Sequence, residues 1–68
     1  MNGYYKAVLE ILLKNGFKFH RNGKGSHEIY LKFDDNGKII GRVQIPIHLN
    51  DKRMANILLK QANIKERL

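Results

Sequence analysis

The middle of this sequence alternates apolar and polar residues at every second position, whereas the segments on either side repeat their apolar residues at helical spacing. Alternation predicts strands that bury one face, and an i, i+3, i+4, i+7 repeat predicts an amphipathic helix. The predicted order is therefore helix, three strands, helix. Three antiparallel strands with both helices on one face make a two-layer α+β domain whose other sheet face is polar and uncovered.

The two predicted helices lie at opposite ends of the chain. The first covers residues 4–15, and Gly16 is placed to take the left-handed conformation after its last turn. The second covers residues 52–62, with Asn50 or Asp51 as its N-cap.

The second predicted strand, which follows His27, decides which side chains face the helices. Counting by twos along it places Ile29, Leu31 and Phe33 inward. The same count turns Glu28, Tyr30 and Lys32 outward. The third strand covers residues 38–47, with Ile39, Val43, Ile45 and Ile47 inward and Arg42 and Gln44 outward. Gly41 marks a bulge or the close approach of a helix.

Composition limits the function classes. The 68 residues, predicted to form one domain over residues 1–68, contain no cysteine, which excludes disulfides and cysteine-based zinc sites. Thirteen Lys and Arg against six Asp and Glu give a net charge of +7, which favours a polyanion or an acidic protein as partner. No apolar run approaches the ~18 residues of a membrane span, and no signal-peptide pattern begins the chain, so we expect a cytoplasmic protein without a membrane partner.

The segment Gly23-Lys24-Gly25-Ser26-His27 carries the chemistry that the sequence suggests. Histidine is the side chain whose ordinary pKa allows proton exchange near neutral pH. A histidine of this kind can equally be a half-buried structural residue bonded to backbone, an alternative that the residues alone leave open. In the same turn, Lys24 and the N–H groups of Gly25 and Ser26 could hold a phosphate, with Arg21 as a further phosphate contact, or they could simply be turn residues.

Other candidate RNA-binding residues have equally plausible structural roles. His48 could orient RNA or transfer a second proton, or it could anchor its loop. Lys52 and Arg53 could contact the RNA backbone or form a solvated helix face. Tyr30, outward on the second strand, could stack on a base or on a cross-strand neighbour. The three histidines lack metal-ligand spacing and a carboxylate cluster, so neither a metal nor another cofactor is predicted.

Several segments together resemble the HicA toxin family of bacterial and archaeal toxin–antitoxin systems. The resemblance rests on Leu-Leu-Lys-Asn-Gly-Phe at 12–17, Lys-Gly-Ser-His at 24–27 leading to Tyr30, Ile-Pro-Ile-His at 45–48 and Ile-Leu-Leu-Lys-Gln-Ala-Asn-Ile at 57–64. It spans nearly the whole chain. Family members often have a longer loop and a Gly-Thr-Leu entry into the second helix, where this chain runs directly through residues 49–53.

This resemblance implies a fold like the double-stranded-RNA-binding domain and a ribosome-independent endoribonuclease that cleaves mRNA. It also implies a HicB-like antitoxin, expected to be acidic, that blocks the active site. The family's catalytic histidine follows Gly-Ser and corresponds to His27. Two other functions share the charge and the fold: a non-catalytic module that binds double-stranded RNA, and a regulatory module that binds only an acidic protein.

Overall fold

The computed structural model describes residues 3–68 and shows the predicted element order. Helix α1 covers Tyr5–Lys14 and helix α2 covers Lys52–Gln61. Between them, β1 covers Lys18–Asn22, β2 covers His27–Phe33 and β3 covers Ile39–Pro46. The strands form one antiparallel sheet in the order β1-β2-β3, so β2 is central and carries hydrogen bonds on both edges.

Local sequence signals set the element ends. Gly16 has φ +92°, the left-handed conformation expected after α1. Of the two candidate caps of α2, Asp51 is the one used, since its carboxylate accepts a hydrogen bond from the Arg53 N–H at 2.9 Å. In the β2–β3 turn, the Asp34 carboxylate accepts from the N–H groups of Asn36 and Lys38.

The core lies between one face of the sheet and both helices. Val8 and Leu12 of α1 and Leu59 of α2 are fully buried together with Ile45 of β3. Phe17, which comes just before β1, is buried in the same cluster. Because both helices share this cluster, they cover the same sheet face, as predicted.

The predicted faces of β2 are reversed in the structure. Tyr30 pairs with Val43 of β3, and both side chains belong to the helix-covered core. Alternation then places Ile29 and Leu31 on the uncovered face, opposite Gln44 and Arg42. The prediction that Tyr30 points outward is therefore wrong. The segment Ile-Tyr-Leu is apolar at three successive positions, so counting by twos does not decide which face is inward.

Two bulges alter the register near the sheet edges. The pairing skips His20 in β1 and Ile40 in β3. The skipped Ile40 turns Ile39 to the uncovered face, so the predicted inward position of Ile39 is also wrong. Gly41 follows the bulge, and a Cβ there would lie 3.0 Å from Cζ of Phe17. The close neighbour at this glycine is therefore an aromatic ring rather than a helix.

We call the uncovered surface of the sheet the open face. Alternation and register assign its side chains, which are Lys18, Arg21, His27, Ile29, Leu31, Phe33, Ile39, Arg42, Gln44 and Pro46.

Candidate active site

The β1–β2 turn and the β3–α2 loop meet at one end of the sheet. His27, the first residue of β2, pairs with Pro46, the last residue of β3. The Ile47 N–H donates to the Ser26 carbonyl oxygen at 2.7 Å, which extends this pairing into the turn. Beyond Ile47, Leu49 is buried in the core and its carbonyl accepts from the N–H of Tyr4. The turn that precedes His27 is thus held against the loop that leads into α2.

The imidazole of His27 is half-buried and fixed through one ring nitrogen. Its Nδ1 lies 3.0 Å from the carbonyl oxygen of Lys24. A carbonyl oxygen only accepts hydrogen bonds, so Nδ1 must carry the proton in this contact. In the neutral ring, Nε2 then carries the lone pair and is the atom able to accept a proton from a ligand. The structural and catalytic interpretations of His27 are thus compatible, because the backbone bond prepares the other nitrogen.

The turn places cationic and N–H donor groups beside this ring. Gly25 has φ +67° and a Cβ there would meet no atom within 4 Å, so the backbone conformation rather than space favours glycine. Within residues 3–68, the N–H groups of Gly25 and Ser26 donate to no protein acceptor. The Lys24 side chain is exposed. Two free N–H groups and an ammonium group at a tight turn make an arrangement that can receive a phosphate.

Arg21 lies on the same face as the histidine. It pairs with Ile29, two residues along β2 from His27, and its side chain is exposed. Its Nη1 donates to the Asn22 carbonyl at 3.1 Å, and its other guanidinium donors have no acceptor within residues 3–68, so they are available to a ligand. The structure therefore brings Arg21, the 23–26 turn and His27 to one end of the open face.

His48, Lys52 and Arg53 follow the Ile47–Ser26 hydrogen bond in the chain and lie at the same end of the sheet. All three side chains are exposed. The first turn of α2 has no acidic residue, although the helix dipole favours negative charge there by about 0.3–1 kcal/mol. Two cations at this unfavourable position are suited to an anionic ligand that approaches the helix N-terminus.

One comparison with known proteins decides the family. The model of the family described as HicA toxin of bacterial toxin–antitoxin systems matches residues 5–64, from the first residue of α1 to beyond the end of α2. The chain belongs to the HicA toxin family. Membership indicates a toxin function within a bacterial toxin–antitoxin pair. No curated protein and no solved structure is detectably similar to the chain.

One predicted RNA contact is not supported in this HicA family member. Tyr30 is only 5% exposed, its ring packs edge-on against Phe19 with 5.7 Å between centroids, and its hydroxyl donates to Glu28 at 3.3 Å. Of the two interpretations of Tyr30, the cross-strand neighbour is the one that the geometry supports. The buried ring offers no face for a base.

The structure brings together Tyr5, Glu28 and Tyr30 in a cluster that the sequence did not predict. The Tyr5 hydroxyl on α1 donates to the Glu28 carboxylate, and Tyr30 donates to the same oxygen. The bond to Glu28, followed by burial, raises the pKa of Tyr5 far above its ordinary value, and burial is the main cause that raises the pKa of Tyr30. Only the reversed faces of β2 bring these groups together, so no local sequence signal could have found them.

In the part of the chain from residue 3 onward, no three His, Asp or Glu side chains are grouped so that they could hold a metal ion. Over the same residues, neither helix has the length and apolar character needed to cross a bilayer.

Proposed function

We propose that this HicA-family chain is an endoribonuclease toxin that cleaves mRNA without a metal ion, with His27 as its catalytic residue. The observation that carries the proposal is the bond from Nδ1 of His27 to the Lys24 carbonyl, which leaves Nε2 free beside a cationic turn. Family membership supports the toxin class, and the net charge of +7 supports a polyanionic substrate.

The chemistry needs one proton to be removed and one to be supplied. The ribose 2′-oxygen attacks phosphorus, the bond from phosphorus to the 5′-oxygen breaks, and the product carries a 2′,3′-cyclic phosphate. His27 either accepts the proton of the 2′-hydroxyl at Nε2 or, when protonated, donates a proton to the leaving 5′-oxygen. His48, exposed at the same end of the sheet, is a candidate for the other transfer.

The surrounding donors stabilise and orient the phosphate. Lys24 and the N–H groups of Gly25 and Ser26 would bind the non-bridging oxygens on which negative charge grows during attack. Arg21 would hold the neighbouring phosphate on the open face. Lys52 and Arg53 at the start of α2 would bind backbone on the other side of the turn.

The partner that regulates such a site should be an acidic, HicB-like antitoxin. A protein that covers His27 and the exposed Lys24 would remove both the proton acceptor and the phosphate site from RNA. Opposite charge on the two proteins would speed their encounter, and the association rate would then fall as salt rises. A cytoplasmic location follows from the proposed mRNA substrate.

Cleavage of a defined single-stranded RNA by the His27→Ala protein tests the proposal. General acid–base catalysis by a positioned group contributes about 10² to 10⁴ in rate, so at least a hundredfold loss is expected. His20→Ala is the matched control, because His20 is an exposed histidine at the β1 bulge. Activity should persist in EDTA, and the product ends should be 2′,3′-cyclic phosphates.

Three outcomes would overturn the proposal. Near wild-type cleavage by a folded His27→Ala protein would remove the catalytic assignment. Loss of cleavage in EDTA would remove the metal-free mechanism. Tight binding of duplex RNA without any cleavage would favour the non-catalytic module that binds by shape.

A further inference from the structure

The open face contains four rows of side chains that lead away from His27. The first row pairs His27 with Pro46 at the catalytic end. The second and third rows place an apolar residue of β2 between polar residues of the neighbouring strands. They are Arg21, Ile29 and Gln44, then Lys18, Leu31 and Arg42, and Phe33 with Ile39 forms the fourth row. Successive rows are about 6.6 Å apart, since each residue of a strand advances about 3.3 Å.

The charge on this face has one sign. Lys18, Arg21 and Arg42 are exposed, and within residues 3–68 none of them forms an ion pair. Of the acidic residues, Glu28 lies on the helix-covered side, and the others lie outside the strands. Three unpaired cations and a histidine therefore share a surface with no acidic side chain.

The centre of the open face is apolar, but neighbouring side chains shield it from solvent. Ile29 and Leu31 are buried, although neither belongs to the core cluster beneath the helices. Gly23 lies against Ile29 and its cross-strand partner Gln44, since a Cβ on Gly23 would be 3.4 Å from a side-chain atom of each. Leu31 lies between Lys18 and Arg42, whose methylene stems can cover it while their charges stay in water. The cations of the open face therefore surround a packed apolar centre.

The far end of the face offers an aromatic surface. Phe33 is 44% exposed, and its partner Ile39 is 53% exposed. Proteins that bind single-stranded nucleic acids combine exposed aromatic rings, on which bases stack, with cations that contact the phosphates. Phe33 and the cations of the open face provide this combination.

We propose that the open face is the track on which single-stranded RNA lies as it enters the site. The RNA backbone runs over Arg42, Lys18 and Arg21 toward His27, and a base stacks on Phe33. This inference rests on the proposed function for its ligand, and it adds Lys18, Phe33 and Arg42 to the residues that bind RNA. A strand laid flat on a sheet differs from a duplex recognised by shape, so binding should favour single strands.

Equilibrium binding to the full chain carrying His27→Ala tests the track, because the RNA stays intact during the measurement. The probe is a fluorescein-labelled single-stranded RNA of about ten nucleotides, within the range that small single-strand-binding folds occupy. In this background, Arg42→Gln and Lys18→Gln are compared with Arg67→Gln and Lys6→Gln, matched exposed cations outside the strands.

Each open-face variant should weaken binding about fivefold at 0.1 M salt and reduce the slope of log K against log salt by about 0.7, the effect of one lost phosphate contact on a single strand. The two control variants should bind like the parent protein. Equal affinities in all four variants would overturn the track. So would losses confined to Lys52→Gln and Arg53→Gln, which would place the RNA along α2 instead.

Phe33→Ala separates stacking from charge. It should weaken binding without changing the salt slope, because no phosphate contact is lost. Phe19→Ala is the matched control, since Phe19 is 52% exposed but lies on the opposite side of the sheet beside Tyr30. Equal RNA affinity of the Phe33→Ala and Phe19→Ala proteins would show that no base stacks on Phe33.

The two proposals fail in different ways. If the His27-containing protein cuts no RNA but Arg42→Gln still weakens binding, the endoribonuclease assignment is wrong and the track stands. If RNA cleavage requires His27 but the open-face variants bind and cleave like the parent, the track is wrong and the enzyme assignment stands.

Discussion

The Tyr5 hydroxyl of α1 donates a hydrogen bond to the carboxylate of Glu28, the residue next to His27 in β2. These residues are 23 positions apart, and their bond ties the start of the first helix to the strand that carries the candidate catalytic group. The side chains of Glu28 and His27 point to opposite faces of the sheet. The bond therefore stabilises the strand from its helix-covered side, opposite the side chain of His27.

Removing this hydroxyl should reduce stability. Tyr5→Phe is expected to lower the free energy of unfolding by about 1 kcal/mol. Hydrogen bonds to charged groups typically contribute about 1.5–3 kcal/mol, and the smaller value is expected here because the site is only part-buried. Thermal unfolding should show a fall of about 4–8 °C for each kcal/mol in a domain of this size. Tyr4→Phe is the control, because no hydrogen bond from the Tyr4 hydroxyl is present within residues 3–68. An equal fall in both variants would contradict the assignment.

The same bond predicts the pH dependence of stability. The pKa of Tyr5 is raised in the folded state, so the folded chain keeps this proton at a pH where the unfolded chain has lost it. Its stabilising contribution is complete below about pH 10 and is lost as pH rises above that value. Urea unfolding between neutral and alkaline pH should therefore show a steeper decline for the parent than for Tyr5→Phe. Parallel curves would show that the Tyr5 proton does not contribute.

A side chain at Gly41 should be destabilising, because the buried ring of Phe17 would have to shift to make room for it. The Cβ of Gly41→Ala would lie 3.0 Å from Cζ and 3.1 Å from Cε2 of a ring that is 2% exposed. Overpacking of this kind costs about 1–3 kcal/mol. Phe17→Leu removes the clashing atoms, so the double variant should be more stable than the sum of the two single changes predicts. Additive losses in denaturant unfolding would show that the ring is not the obstacle.

His27 should carry its neutral-ring proton on Nδ1. The Lys24 carbonyl can accept only from a protonated nitrogen, so this tautomer is held in the folded chain. Ring ¹⁵N chemical shifts measured with the ring neutral should show Nε2 as the unprotonated nitrogen. His20 and His48 provide internal references, because both are exposed. A proton on Nε2 of neutral His27 would contradict the contact.

Lys24→Ala should reduce cleavage less than His27→Ala does. The ammonium group supplies charge that Arg21 and the free N–H groups can partly replace, whereas no other group in the turn can exchange a proton near neutral pH. The ratio kcat/KM should therefore fall by less than the factor of about 10² expected as a minimum for His27. Lys65→Ala, an exposed lysine after α2, is the control. Equal losses for Lys24 and His27 would show that the lysine has a more direct part in the chemistry.

Local sequence signals determined the element order, the ends of the helices and the position of the catalytic candidate. Gly16 ends α1 through its own backbone conformation, and Asp51 caps α2 through a bond to a residue two positions away. Both can therefore be recognised from the sequence without knowledge of the fold. The Gly-rich turn before His27 is equally local. These features depend on short-range geometry.

The tertiary structure decided which face of the sheet the helices cover and which face stays open. Ile29, Tyr30 and Leu31 are all buried, so the choice of the core face came from the register with Val43 and from the Glu28 carboxylate that Tyr5 and Tyr30 share. That register also placed Arg42 in a row with Lys18, although the two are 24 positions apart in the chain. Strand register depends on contacts between segments that are distant in the sequence. Counting alternate residues along a single strand does not include those contacts.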